Sequence, residues 1–411
     1  MKNYDVIIVG AGPAGAISSY YLSRKGFKVA LLEKNNIGRD KICGGGISHY
    51  TLNELPFNIP ESIIEQKIKG INFISPNNEI FQKKEKNQIG ITTYRSLFDA
   101  FLINKAIDSN VEFIPYTKIS HIYKSNNIFN IQNKYSAKYI IGADGVNSAV
   151  RKIANLEDKK KHINLALRSI IEFKDQAEVD EFLIDKETYE FYFHNNKPGY
   201  GWIFGLKTAI NIGIGTKIHS PDPRKLLEQY IKRCFKLRGK KIPNYSIQGF
   251  PIPNSKLPNR FSKNGIFLVG DAAGLVDPVS GEGVHYAIRS AKIVADMIIK
   301  DYYDPFNDNL DIYYKKRIEK DIGSDLFVSY RLNLFLERFF LNNMHFWFSI
   351  LKRNPFIFNY TAEIAKKSNY YNVYKDVLFK FPNITLQTIY PHNKSPDFLY
   401  KKFSERNLIL S

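Results

Sequence analysis

The strongest constraint on this chain is its N-terminal stretch. Tyr4-Asp5-Val6-Ile7-Ile8-Val9 is a short, largely apolar run of the kind that forms a buried strand. Gly10-Ala11-Gly12-Pro13-Ala14-Gly15 follows at once, then a helical pattern to about Lys25, ended by Gly26. Lys28-Val29-Ala30-Leu31-Leu32-Glu33 reads as a second strand. In a strand–helix–strand unit the three glycines have separate duties. Gly10 permits the tight turn, Gly12 lets a pyrophosphate approach the backbone, and Gly15 lets helix and strand pack closely. Glu33 stands where a carboxylate meets the hydroxyls of an adenosine ribose. The unit implies a dinucleotide, without distinguishing FAD from NAD.

A second stretch makes that distinction. Gly265-Ile266-Phe267-Leu268-Val269 reads as a buried strand and leads into Gly270-Asp271-Ala272-Ala273-Gly274 and a Pro-Gly loop ending at Gly283. Val284, Ala287, Ile288, Ala291, Val294, Ala295 and Ile298 recur at helical spacing, so a helix is expected to start near Gly283. A helix start offers unpaired N–H groups and partial positive charge. Asp271 at a strand end can accept hydrogen bonds from a polyol. Together they suit a flavin, with Asp271 on the ribityl chain and the helix start facing the flavin edge that becomes negative on reduction. The bland alternative is an ordinary strand–loop–helix connection.

Between these stretches lies Lys41-Ile42-Cys43-Gly44-Gly45-Gly46-Ile47. A glycine triplet is expected to bring backbone close to a ligand and not to serve packing. Cys43 beside it is either a thiol exposed in the site or a small buried filler. Short strands are expected from about Lys69 to Thr93, and a helix beginning near Arg95. Lys118 to Ile131 reads as a hairpin through Ser125-Asn126-Asn127. Lys138 to Gly142 reads as a strand returning to the first sheet, and Asp144 sits in the turn after it. Residues 160–260 alternate in the manner of an antiparallel sheet, crossed by a helix from Leu226 to Phe235. Within that sheet Tyr200, Trp202 and Phe204 share one face, either a core face or a wall for an apolar substrate.

The expected architecture is α/β: a Rossmann-like FAD-binding domain formed by 1–155 and 260–305, an inserted antiparallel-sheet substrate domain over 156–259, and a helical C-terminal region over 306–411. Fifty-nine basic residues stand against 40 acidic ones, part of the excess being Lys232, Arg233, Lys236, Arg238, Lys240 and Lys241. Such charge suits an anionic membrane surface, a phosphorylated substrate or nucleic acid, or else reflects a Lys/Asn/Ile-rich compositional bias. No recognisable nucleic-acid module accompanies it, so no nucleic-acid partner is expected. Two cysteines, Cys43 and Cys234, lack metal-ligand spacing, and no metal is expected. With no visible signal peptide and no run long enough to span a bilayer, a cytoplasmic location is expected. The stretch Phe327 to Tyr360, aromatic and dotted with Arg331, Arg338, Lys352 and Arg353, suits a helix at a membrane interface, a lid over an apolar tunnel, or a helix packed on the substrate sheet.

The glycine motif with Glu33, the Gly142-Ala143-Asp144-Gly145 turn and the Gly270-Asp271 turn, in that order, resemble the p-hydroxybenzoate hydroxylase-like superfamily of FAD enzymes over roughly residues 4–300. Cys43-Gly44-Gly45-Gly46 and Tyr200-x-Trp202-x-Phe204 resemble the geranylgeranyl reductase family, whose members saturate isoprenoid double bonds of lipids, quinone side chains or pigment precursors. That family's aromatic motif usually ends in Phe-Pro, where this chain has Phe204-Gly205. The resemblance implies an FAD-dependent reductase acting on CH–CH groups, with NADPH, NADH or a ferredoxin as electron donor and a prenylated substrate. It places Gly10, Gly12, Ala14, Gly15, Glu33, Gly44, Gly46, Arg95, the backbone near Ile119, Asp144, Asp271, Gly283 and Val284 against FAD. Cys43 and Tyr200 become candidate proton donors, since an isolated alkene needs a proton at one carbon as hydride reaches the other. A flavin monooxygenase or halogenase on the same scaffold, and a non-catalytic membrane-associated flavoprotein, are the competing readings.

Overall fold

The computed structural model describes residues 1–157, 163–194, 199–254, 257–258, 260–305 and 309–340, together with 344, 348, 349 and 352. The apolar runs at the two ends of the nucleotide unit form one sheet, as β-rich, fully buried runs should. Lys2–Val9 lies between Tyr135–Gly142 and Val29–Leu32, parallel to both. Ile266–Leu268 joins the outer edge of Tyr135–Gly142, and Glu112–Ile114 that of Val29–Leu32, again in parallel. The hairpin Ile122–Ser125/Ile128–Ile131 hangs from Tyr135–Gly142, with left-handed Asn126 and Asn127 at its tip.

Helix Pro13–Ser23 covers this sheet and packs on Val284–Tyr303 and Arg95–Asp108. Its buried face is built from small residues, Ala14, Gly15, Ala16, Ser18 and Ser19, which permits close approach. On Val284–Tyr303, Ala287, Ile288, Ala291, Val294, Ala295 and Ile298 are buried at the expected helical spacing.

The second sheet runs in the order Gln248–Pro253, Ile163–Glu172, Ala209–Lys217, Tyr200–Gly205, Thr188–Tyr192, Gly70–Ile74, Ile80–Lys84. Its pairings are antiparallel except that of Thr188–Tyr192 with Gly70–Ile74. Two strands thus come from before the range 156–259, because pairing across such a sequence distance leaves no local pattern. One face buries Ile203, Ile210, Ile212 and Ile214 against Leu227, Tyr230, Ile231 and Phe235 of helix Pro223–Leu237. The opposite face carries Tyr189, Trp202 and Phe204, with Phe191 and Tyr200 at its margin.

After Leu310 the chain is helical through Ile318, a π-turn at Glu319–Gly323, Ser324–Phe335 and a second π-turn at Leu336–Phe340. Met344 and Phe348 pack on Phe73, Phe81 and Phe193 at the outer strands of the second sheet. The remainder of the expected C-terminal region, including Arg353 and Tyr360, lies outside the described residues.

Candidate active site

The parallel strands of the first sheet deliver their functional groups at one edge, as open α/β sheets do at their carboxyl ends. Gly10 N–H donates to Leu32 C=O, Glu33 N–H to Ile114 C=O, Ala143 N–H to Val9 C=O and Val269 N–H to Gly142 C=O. Gly10, Glu33, Asp144 and Asp271 therefore stand side by side. Gly10 and Gly15 serve the tight turn and the close packing expected of them. A Cβ at Gly10, where φ is +99°, would lie 2.4 Å from Ala143 C=O, and one at Gly15 would lie 1.8 Å from Gly10 C=O. A Cβ at Gly12 would meet only Arg39 Nη2, at 3.7 Å. The second glycine thus opens on free space beside a guanidinium, which is what a diphosphate needs.

Glu33 is buried, and one carboxylate oxygen accepts the Ala11 N–H at 2.8 Å, the other the Asn35 N–H at 3.1 Å. Each oxygen keeps a second lone pair for a ribose. Arg39 lies 3.8 Å from Glu33 and 3.5 Å from Asp99, a position that sequence reading missed because an arginine in a loop carries no pattern. Arg95 is buried in a two-pronged pair with Asp99, at 2.8 and 3.0 Å. Ile119 is buried just beyond the strand that neighbours Glu33.

Asp144 has a local task. Its carboxylate accepts from Ser148 Oγ and from the N–H groups of Ala149 and Val150, capping helix Ala149–Ile153. Arg151 of that helix donates to the carbonyls of Val146 and Ala272, tying the two acid-bearing turns together. The Asp271 carboxylate is half-buried and accepts no hydrogen bond among the described residues, so it is available to a polyol. Gly283 precedes helix Val284–Tyr303, and a Cβ there would lie 3.0 Å from Asp271 Oδ1. Lys41 was also missed. Burial lowers its pKa to about 8, against the opposing pull of Asp271, and its ammonium sits over the Phe250 ring.

The glycine triplet requires a correction. A Cβ at Gly44 would come within 3.0 Å of Phe204 and 3.3 Å of Trp202 Nε1, and one at Gly46 within 3.0 Å of Phe204 and 3.2 Å of Tyr189. Gly45, with φ of +79°, would meet Thr93 C=O at 2.4 Å. These glycines do serve packing: they let the loop lie flat on the aromatic strand. The expectation of no packing role failed because nothing local in the triplet names its packing partner. The loop is also sewn to the sheet. Asn211 Nδ2 donates to Cys43 C=O at 2.8 Å, and Asn211 Oδ1 accepts from Trp202 Nε1 at 3.1 Å. Arg168 donates to the same carbonyl at 3.2 Å and pairs with Asp40.

Cys43 is half-buried, and the Gly45 N–H points to its Sγ at 3.5 Å. Tyr200 donates its hydroxyl proton to Ser280 C=O, and burial pushes its pKa well up. Trp202 and Phe204 are buried against the loop. Gly205 stands where a Cβ would lie 2.6 Å from Leu183, and its carbonyl accepts Thr92 Oγ1 at 2.6 Å, so this chain's departure from Phe-Pro fits its own packing. The other cysteine, Cys234, lies fully buried behind the sheet, where burial raises its thiol to about 12.

The FAD binding domain family matches residues 130–320, and the FAD dependent oxidoreductase family residues 5–59. A digeranylgeranylglycerophospholipid reductase from Methanosarcina acetivorans is 30% identical over 79% of this chain and 83% of its own. The chain belongs to the geranylgeranyl reductase family of FAD-dependent oxidoreductases. A relative of the same name from Methanococcus vannielii is 27% identical over 79% of this chain and 85% of its own. The crystal structure of a geranylgeranyl bacteriochlorophyll reductase-like protein from Thermoplasma acidophilum superposes with a TM-score of 0.75 at 22% identity, covering 94% of this chain and 98% of that one. That likeness is one of fold. Monooxygenases and halogenases are more distant neighbours in fold, such as a flavin-dependent halogenase at 18% identity and a TM-score of 0.62.

Proposed function

We propose that this geranylgeranyl reductase family member reduces isoprenoid double bonds of a lipid or prenylated small molecule, with FAD seated along the edge defined by Gly12, Glu33, Asp271 and Gly283. The observation that carries the reading is the glycine loop at Cys43–Gly46 laid on the aromatic strand Tyr200–Gly205 and facing the turn before helix Val284–Tyr303. Gly12 and Arg39 would take the pyrophosphate, Glu33 the ribose, the backbone near Ile119 the adenine and Asp271 the ribityl hydroxyls. Gly44, Gly46, Ala14, Gly283 and Val284 would border the flavin itself. Arg95 would act from behind, through Asp99 and Arg39. Asp144 would act through the helix that it caps.

Reduced FAD, when bound, supplies hydride. The chain's own task is to hold an apolar chain beside it, exclude water and provide a proton. Tyr200, Trp202 and Phe204 would form the substrate wall, and aromatic faces soften cationic character on the more substituted carbon. Tyr200 is a weak proton donor, since its proton is already engaged by Ser280 and its pKa is raised. Cys43, half-buried at the mouth of the glycine loop, is better placed. The test is anaerobic: chemically reduced holoenzyme should be reoxidised by a geranylgeranyl lipid, and the product should gain one hydride and one proton per bond, read by mass. Reduced enzyme that ignores every prenyl lipid but hydroxylates or halogenates an aromatic compound with oxygen would overturn the reading. The same preparation offered NADPH, NADH or reduced ferredoxin identifies the donor.

A further inference from the structure

Glu282 lies in the loop between Ser280, whose carbonyl takes the Tyr200 hydroxyl, and Gly283, whose Cβ position is 3.0 Å from Asp271. It therefore sits in the chain between the residue touching the aromatic wall and the one touching the polyol acid. Its Oε1 stands 3.1 Å from Ser48 Oγ and 2.9 Å from Thr51 Oγ1, and those two hydroxyls are 2.8 Å from each other. Three oxygens thus make three mutual contacts, and the two hydroxyls bring only two protons. All three contacts are hydrogen bonds only if the carboxyl brings a third. Among the described residues nothing cationic stands in for it: the charged and titratable groups that sense Glu282 there are Asp277, Tyr189, Tyr200 and Tyr286. The Ser48 end of this triangle is two residues past Gly46, at the close of the glycine loop. Burial drives the Glu282 carboxyl upward against the hydrogen bonds of Thr51 and Ser48, which pull it down, and the charge of Asp277 adds a smaller upward push.

We propose that Glu282 is held protonated and is the proton source for alkene reduction, with Ser48 and Thr51 returning the proton to it. The inference rests on the reductase reading above. In the step, the Glu282 O–H bond breaks and a C–H bond forms at one alkene carbon. The other carbon takes the hydride, with its electron pair, that reduced FAD supplies. The carboxylate left behind recovers a proton from water through the two hydroxyls. Cys43 would then shape the site without supplying the proton.

The test uses FAD-loaded enzyme and Glu282→Gln, whose amide oxygen can still accept from Ser48 and Thr51. Infrared difference spectra between neutral and alkaline pH should show a protonated carboxyl band in the wild type that Glu282→Gln lacks and Cys43→Ser keeps. Single-turnover reoxidation by a digeranylgeranyl glycerophospholipid should slow roughly 10²–10⁴-fold in Glu282→Gln, the usual worth of a general acid. Glu282→Asp should recover part of the rate. FAD affinity and reoxidation by ferricyanide, which needs no carbon-bound proton, should stay at wild-type values in both variants. Glu282→Gln with a wild-type rate overturns the proposal. So does loss of FAD in parallel with activity, which would make Glu282 a tie between two loops. A missing carboxyl band overturns the stored proton. Wild-type enzyme that ignores the lipid overturns the reductase reading and the delivery step with it, and the band then reports separately on storage.

Discussion

At the scale of single residues, the nucleotide unit shows three glycines required for three different reasons, and substitution should separate them. Gly15→Ala places a methyl 1.8 Å from the Gly10 carbonyl, so helix and strand must part; the protein should be recovered poorly or with a sharply lowered Tm. Gly12→Val meets only Arg39 in the protein itself and should fold, yet it fills the space that a pyrophosphate needs. Its purified form should be colourless and remain so after incubation with FAD, where the wild type is yellow. A yellow Gly12→Val would remove that glycine from the FAD site. His285 makes a different case. It is 2% exposed, and neither ring nitrogen finds a partner among the described residues. Burial, with Arg289 nearby, lowers its pKa from 6.5 to about 3. The unfolded chain therefore binds a proton below pH 6.5 that the folded chain refuses. Stability attributable to this neutral histidine is complete above pH 6.5 and falls as pH drops towards 3, by up to about 1.4 kcal/mol per unit. His285→Phe should flatten that fall, measured by urea denaturation at a series of pH values. Parallel curves for the two proteins would mean that His285 is not held neutral.

At the scale of elements, what the sequence made legible followed from local periodicity. The strands around Ile7, Ile140 and Phe267, the helix opening at Arg95, the hairpin at Asn126 and the helix starting after Gly283 all announce themselves by spacing and turn residues. The one-face placement of Tyr200, Trp202 and Phe204 followed from strand alternation alone. What stayed hidden were relations across the chain. Gly70–Ile74 joins the second sheet through Thr188–Tyr192, more than a hundred residues away and beyond any window, and it carries its hairpin partner Ile80–Lys84 with it. The packing role of the glycine triplet stayed hidden because its aromatic neighbours arrive from residues 189–204. Lys41, Arg39 and Glu282 carry no pattern, and only the fold brings them to the site. The junction of loop and strand can be tested directly. Trp202→Ala removes a buried ring and its bond to Asn211, which in turn holds the Cys43 carbonyl. It should lower stability by ~3–5 kcal/mol, the range for large aromatic truncations. FAD should stay bound, since Trp202 packs on the loop and away from the nucleotide edge, whereas the lipid concentration needed for half-maximal rate should rise. Loss of FAD with unchanged lipid dependence would place the wall on the wrong side of the cofactor.

At the scale of the whole molecule, the question is how a protein that handles a prenyl chain meets it. Such chains reside in membranes, and among the described residues no helix is long and apolar enough to cross one. The chain carries a formal net charge of +19, which would draw it to an anionic surface from a distance. Charge alone, however, does not extract a lipid. Helix Ser324–Phe335 would add a second kind of contact: Phe327 and Leu334 are 58% and 43% exposed, with Arg331 exposed between them. The same helix turns Leu326 and Ser329 into the core, so it is fixed to the body while Phe327 and Leu334 would enter a headgroup layer. The two contacts respond differently to salt. Screening shortens from about 10 Å at 0.1 M to about 3 Å at 1 M, which cuts long-range attraction and leaves apolar insertion intact. Flotation with anionic vesicles should therefore recover most of the protein at low salt and a smaller, persistent fraction at high salt. Phe327→Glu combined with Leu334→Glu should abolish the high-salt fraction and only reduce the low-salt one, with FAD content unchanged because both side chains are exposed and outside the core. Neutral vesicles should float little of either protein. If the wild type floats with no vesicles at either salt, the helix is a cover on the body, and the lipid must reach the enzyme on a carrier.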